Sequence, residues 1–127
     1  MRRTDQRRAA VVALYQRDAT GRPLDELVPR TATPFTRELV EGVEAERPEI
    51  DALIERYAEG WTLERMAPLD RNILRVALFE LLYREDVPTE VAMDEALEAA
   101  HEWCGADTPR FLNGILGAVQ RDRVAAS

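Results

Sequence analysis

The chain has 127 residues, of which 46% are hydrophobic and 32% charged, with one cysteine and a formal net charge of -7. This composition excludes a disordered chain and a disulfide scaffold, and no apolar run approaches the roughly 20 residues of a membrane helix. One globular domain spanning residues 1–127 is expected, in a reducing, cytoplasmic setting, since no apolar signal-peptide core follows the N-terminus.

Charge is unevenly distributed. Arg2, Arg3, Arg7 and Arg8 face only Asp5 within the first eight residues, a local +3 that leaves -10 for the rest. An acidic body with a basic edge is not a general nucleic-acid coat; it suits a polyanion at one edge, although four arginines also fit a solvated helix end. All 17 basic residues are arginine.

No segment alternates as a strand does, and helix punctuation recurs throughout. A first helix is predicted over 4–19, with Val11, Leu14, Tyr15 and Asp18 at helical spacing and Gly21 and Pro23 as stops. Residues 24–28 make one short turn. Thr33 and Pro34 read as N-cap and first helical residue. Phe35, Leu39, Val40 and Val43 form the stripe of that helix, which Pro48 is expected to end. Pro48 then opens another helix carrying Ile50, Leu53, Ile54 and Tyr57 on one face, stopped by Gly60. Trp61, Leu63 and Met66 pack in a short connection.

Residues 68–84 are apolar nearly all round, the mark of a buried helix. Thr89 is expected to cap a helix to Cys104 with Ala92, Ala96, Leu97, Ala100 and Trp103 inward, closed by Gly105. A last helix is predicted over 109–123. Its stretch RFLNGILG holds an Asn-Gly pair, a hairpin signal, but Phe111, Leu112, Ile115, Leu116 and Val119 fall at helical spacing, so the helix prevails. Gly114, Gly117 and Ala118 then predict a strip where another helix approaches closely, and Asn113 is expected to need a polar partner. The expected fold is a compact all-α bundle of about seven helices around the central apolar one.

Catalytic chemistry is sparse. Cys104 and His101 lie within reach on one helix, but no third orienting group accompanies them, and a structural zinc site needs four ligands. No metal site and no cofactor are expected. Glu90, Asp94, Glu95, Glu98 and Glu102 lie opposite the apolar stripe and read as a solvated face, or second as a docking face for a basic partner. There is no phosphate-cradling glycine loop and no dinucleotide fingerprint. An enzyme is not expected.

Four pieces in order resemble the NusB family: RRAAVVALYQ (7–16), WTLERMAPLDRNILRVALFELLYREDVP (61–88), VAMDEALEAA (91–100) and DTPRFLNGILG (107–117). The similarity covers nearly the whole chain and is weakest over 21–33. It implies a non-catalytic, all-helical transcription antitermination factor. Such a factor pairs with the small-subunit ribosomal protein NusE, binds single-stranded boxA RNA of nascent ribosomal transcripts and helps RNA polymerase resist termination. By position it implies RNA contacts at Arg3, Arg7, Asp107 and Phe111, and a NusE contact at Asp70, with Glu64 beside it. Charge and proximity add Arg2, Arg8 and Arg110. Phe111 beside Arg110 reads as a base-stacking platform or as a core residue; Asp70 also suits the first turn of its own helix. Relatives carry a denser basic start, which Thr4 and Asp5 interrupt here. A protein-interaction module that has lost RNA binding is therefore the alternative. The same module also opens some RNA cytosine methyltransferases, but the chain ends at Ser127, which is expected to leave no room for their cofactor domain.

Overall fold

The structure, a computed structural model, describes residues 2–126. Six α-helices run in order as α1 (Arg3–Thr20), α2 (Leu24–Leu27), α3 (Pro34–Tyr57), α4 (Pro68–Tyr83), α5 (Thr89–Trp103) and α6 (Thr108–Ala126), with a 3-10 turn at Leu63–Arg65 between α3 and α4. No strand occurs among the described residues. The all-α expectation holds.

Helix α4 is the hub. Every residue from Asn72 to Leu81 is buried, and α1, α3, α5 and α6 all pack on it. A nearly all-apolar helix can satisfy its surface only in this central place. Leu39 and Val43 of α3, Leu14 of α1, Ala100 of α5 and Leu112 and Leu116 of α6 close the core around Leu74 and Leu78.

The expected break at Pro48 does not occur. Helix α3 runs 24 residues through it. Pro48 lies on the exposed side, so its ring meets solvent and the helix loses one internal hydrogen bond, a cost of about 3 kcal/mol. Leu39, Val40, Val43, Ile50 and Ile54 stay in one buried stripe across that point, and burial contributes about 1.5–3 kcal/mol for each such side chain. Packing therefore outweighs the proline. The neighbouring Arg47 spans the weakened turn, pairing with Glu44 at 3.3 Å and Asp51 at 3.5 Å.

Other helix ends follow local chemistry. The Thr33 hydroxyl accepts the Thr36 N–H at 3.3 Å, as expected of an N-cap. Gly21, at φ 72°, closes α1 and donates its N–H to the Arg17 carbonyl at 2.8 Å. Thr89 does not cap α5: Pro88 holds the N-cap position, Thr89 is already helical, and no side chain caps the end. Proline in extended backbone is itself a competent lead into a helix, so the start shifts by one residue. Of the residues at helical spacing on α1, Val11 and Leu14 are buried and Tyr15 is 39% exposed.

The close approach predicted at Gly114 and Gly117 is absent. A Cβ at Gly114 would meet nothing within 4 Å, and one at Gly117 would meet only Arg121 of the same helix. Asn113 is exposed, so water satisfies its amide. The tight contact lies at Gly42 of α3, where a Cβ would sit 2.0 Å from the Phe79 ring of α4.

Candidate nucleic-acid interface

The basic N-terminal edge is largely engaged. Arg2 is exposed and only loosely paired with Asp5 at 3.8 Å. Arg3 lies 4.1 Å over the Phe35 ring and 3.3 Å from Asp86. Arg7, 7% exposed, points inward: its Nε donates to both Glu80 oxygens at 2.8 and 3.0 Å, and Glu80 is 1% exposed. Helical geometry explains this, since residues 7, 10, 11 and 14 share the buried face of α1. Arg8 donates to Glu102, which holds it more firmly charged than a free arginine despite partial burial. Its guanidinium sits 5.4 Å over the Trp103 ring, and its Nε is buried with no hydrogen-bond partner among the described residues. The acidic face of α5 is thus only partly solvated, because Glu102 takes Arg8 and Glu95 accepts the Thr4 hydroxyl at 2.8 Å.

From Trp103 a chain of adjoining clefts crosses the molecule. The first lies among Tyr15, Trp103, Cys104, Asp70 and Thr108. Asp70 and Thr108 also line the second, with Met66, Asp107, Trp61 and Phe111. Trp61 and Phe111 pack edge to face, centroids 6.0 Å apart at 63°. Phe111 is half-buried against the core, and Trp61 is 50% exposed. Phe111 thus has one edge on the core and the other on the cleft.

Asp70 is tied into the fold. Its carboxylate accepts the Thr108 hydroxyl at 3.3 Å, joining the starts of α4 and α6, and lies beside the Cys104 thiol. Burial, with this carboxylate beside it, pushes the Cys104 thiol up to about 12, so at neutral pH it is a protonated, poor nucleophile. His101 is exposed, and no cluster of three metal-ligating side chains occurs among the described residues. Glu64 stands exposed on the 3-10 turn, and Asp107 and Arg110 are exposed at the start of α6.

A third cleft continues from Trp61 and Phe111 between the end of α3 and the outer face of α6. Arg56, Tyr57, Gly114, Ala118 and Arg121 complete it with Arg110. Sequence reasoning missed this groove. Arg56 and Arg121 lie far apart in the sequence, and Trp61 was expected to be packed; only the pairing of α3 with α6 brings them together.

A family model described as the NusB family matches residues 4–121. The transcription antitermination protein NusB of Frankia casuarinae is 60% identical over 85 residues, a match covering 67% of this chain and 63% of that protein's length. Among solved structures, T. maritima NusB aligns with a TM-score of 0.87 at 33% identity, over 95% of this chain and 92% of that one. A structure of antitermination factors NusB and NusE in complex with dsRNA aligns with a TM-score of 0.84 at 22% identity, over 94% and 96% of the two chains, which establishes a common fold. With a family match running from the first turn of α1 deep into α6, on the helical arrangement that T. maritima NusB also has, this chain belongs to the NusB family.

Proposed function

We propose that the protein is a non-catalytic transcription antitermination factor, acting in the cytoplasm as one RNA-binding domain. With the ribosomal protein NusE it binds single-stranded boxA RNA of nascent ribosomal transcripts and helps RNA polymerase resist termination. The observation that carries this is the continuous cleft from the Arg8–Trp103 pair to the Trp61–Phe111 pair. Aromatic faces for bases line it, with the Arg8 guanidinium over Trp103 at one end and Arg110 in the adjoining cleft at the other for phosphates, the two elements single-strand binding needs. Arg2, Arg3, Arg8 and Arg110 contact phosphate, and Phe111 stacks a base. Asp107, exposed beside Phe111, accepts from a base edge. Arg7 acts from within, holding α1 to α4 through Glu80 so that its neighbours face the RNA. Glu64 and the exposed edge of Asp70 meet NusE.

A second reading, a protein-interaction module without RNA binding, draws support from the engagement of Arg3, Arg7 and Arg8 with Asp86, Glu80 and Glu102. Fluorescence anisotropy of a labelled boxA RNA, titrated with this protein alone and with its NusE complex, separates the two. RNA binding predicts a log–log salt slope of about -0.7 for each phosphate neutralised. Phe111→Ala is expected to weaken binding by about 1–3 kcal/mol. No affinity in either form, at low salt, selects the protein-interaction module.

A further inference from the structure

Three arginines converge on the groove between the end of α3 and the outer face of α6. Arg56, Arg110 and Arg121 make no ion pair among the described residues, as is also true of Arg17, Arg30, Arg37, Arg65 and Arg123, whereas Arg3, Arg7, Arg8, Arg47, Arg71, Arg75 and Arg84 have carboxylate partners; what sets these three apart is that they line one groove. Glu59 is the one carboxylate in the lining. Asp122 accepts the hydroxyl of the lining residue Tyr57, so an acidic protein of net charge -7 keeps here a groove with three arginines that have no carboxylate partner among the described residues, against Glu59 and Asp122. Tyr57, Trp61 and Phe111 stand among them, and Arg56 lies 5.4 Å over the Tyr57 ring. Between Arg110 and Arg121, on one face of α6, Gly114 and Ala118 leave the floor low. A helix rises about 1.5 Å per residue, so those arginines stand roughly 16 Å apart along the groove.

We infer that this groove is a further RNA-binding segment, which takes the strand onward from Phe111 and holds flanking single-stranded nucleotides beyond the boxA contacts. The inference rests on the RNA-binding reading above. Phosphates pair with Arg56, Arg110 and Arg121, and a base stacks on the exposed Trp61 face. The open floor at Gly114 and Ala118 lets the strand approach the helix backbone. This also accounts for glycine at 114, which no neighbouring helix requires. Continuity with the preceding cleft through the shared Trp61 and Phe111, together with the charge, favours an RNA strand over an acidic protein segment.

The test compares a labelled boxA RNA with the same RNA lengthened by uridines at its 5′ or its 3′ end, each titrated with the NusE complex of the full chain. One extension is expected to tighten binding about tenfold and to steepen the salt slope by about 0.7 for each added phosphate contact. Arg56→Ala with Arg121→Ala abolishes that gain yet binds the unextended RNA as the parent does, which also reports that the variant is folded. Arg56→Lys with Arg121→Lys keeps the steeper slope. If neither extension helps, or the double alanine variant keeps the gain, the groove is not an RNA segment although the boxA reading stands. If the parent complex binds no RNA at all, both readings fall. If the double alanine variant loses NusE while the gain persists in whatever complex remains, the groove belongs to the protein partner and the inference is overturned.

Discussion

At the residue scale, Arg7 and Glu80 show how position changes what a charged side chain does. Arg7 looks like one of four equivalent terminal arginines, yet it is buried with a carboxylate that is itself inaccessible. Removing one member of a buried pair leaves the other desolvated and unpaired, which costs about 3–5 kcal/mol in the general case. Glu95, 3.9 Å from Arg7, offsets part of that loss. Glu80→Gln is therefore expected to lower stability by roughly 3 kcal/mol, read as a shifted urea midpoint in far-UV circular dichroism. A midpoint equal to the parent's would show that the pair is dispensable. The same reasoning means that weaker RNA binding in an Arg7 variant reports a loosened α1, whereas Arg2 and Arg110 are exposed and test contact directly.

At the scale of elements, two glycines in helix interiors have opposite roles. Gly42 lets α3 and α4 approach, with Phe79 ring atoms at 2.0, 2.3 and 2.7 Å from the site of a Cβ. Phe79 is itself stacked on Tyr83, centroids 5.6 Å apart, so it has little freedom to swing away. Gly42→Ala is expected to cost about 1–3 kcal/mol through overpacking, despite alanine's better helix propensity. Gly114 faces open space, and Gly114→Ala is expected to stabilise α6 by up to about 1 kcal/mol. Thermal unfolding of the two variants checks the pair: equal shifts, or shifts in the opposite order, would contradict this account of the packing.

For the molecule as a whole, a polar network fastens the bundle at the end of α1. Asp18 accepts from Arg71 and Arg75 at 2.9 Å and from Asn72 at 2.8 Å. Arg75 also donates to Asp51 of α3 at 2.8 and 3.1 Å. One carboxylate on α1 and one on α3 thus hold a cation of α4 that is nearly inaccessible. Burial works against the charged form of Asp18, but the hydrogen bonds from Arg71 and Asn72 and the charge of Arg75 outweigh it and hold its carboxyl below the ordinary 3.8. A depressed carboxylate contributes stability that is complete above the unfolded-state value and lost as pH falls through the folded one. The stability gap between the parent and Asp18→Asn is therefore expected to be constant above about pH 5 and to shrink below 3.8. Chemical denaturation across that range measures it; a gap that stays constant into strong acid would rule out the linkage.

The sequence by itself determined the all-helical class, most helix limits, the central place of α4 and the pieces by which the chain resembles the NusB family. These rest on local signals: 3.6-residue periodicity, the Thr33–Pro34 start, Gly21 as a stop, and an apolar run with little polar face. The Asn-Gly pair at 113–114 was also legible as helix, because its neighbours keep helical spacing. What only the tertiary structure decided depends on partners far along the chain. Pro48 is tolerated because both halves of α3 bury one stripe on α4. Arg7 turns inward because Glu80, 73 residues away, waits there. The close approach falls at Gly42 because a neighbouring helix faces it, and Gly114 is left open because none does. The groove of Arg56, Trp61 and Arg121 exists only once α6 lies beside the end of α3. Periodicity states which face of a helix is apolar, but not which charged residue meets its counterion and which is left free for a ligand; that is settled by the three-dimensional distances between charges.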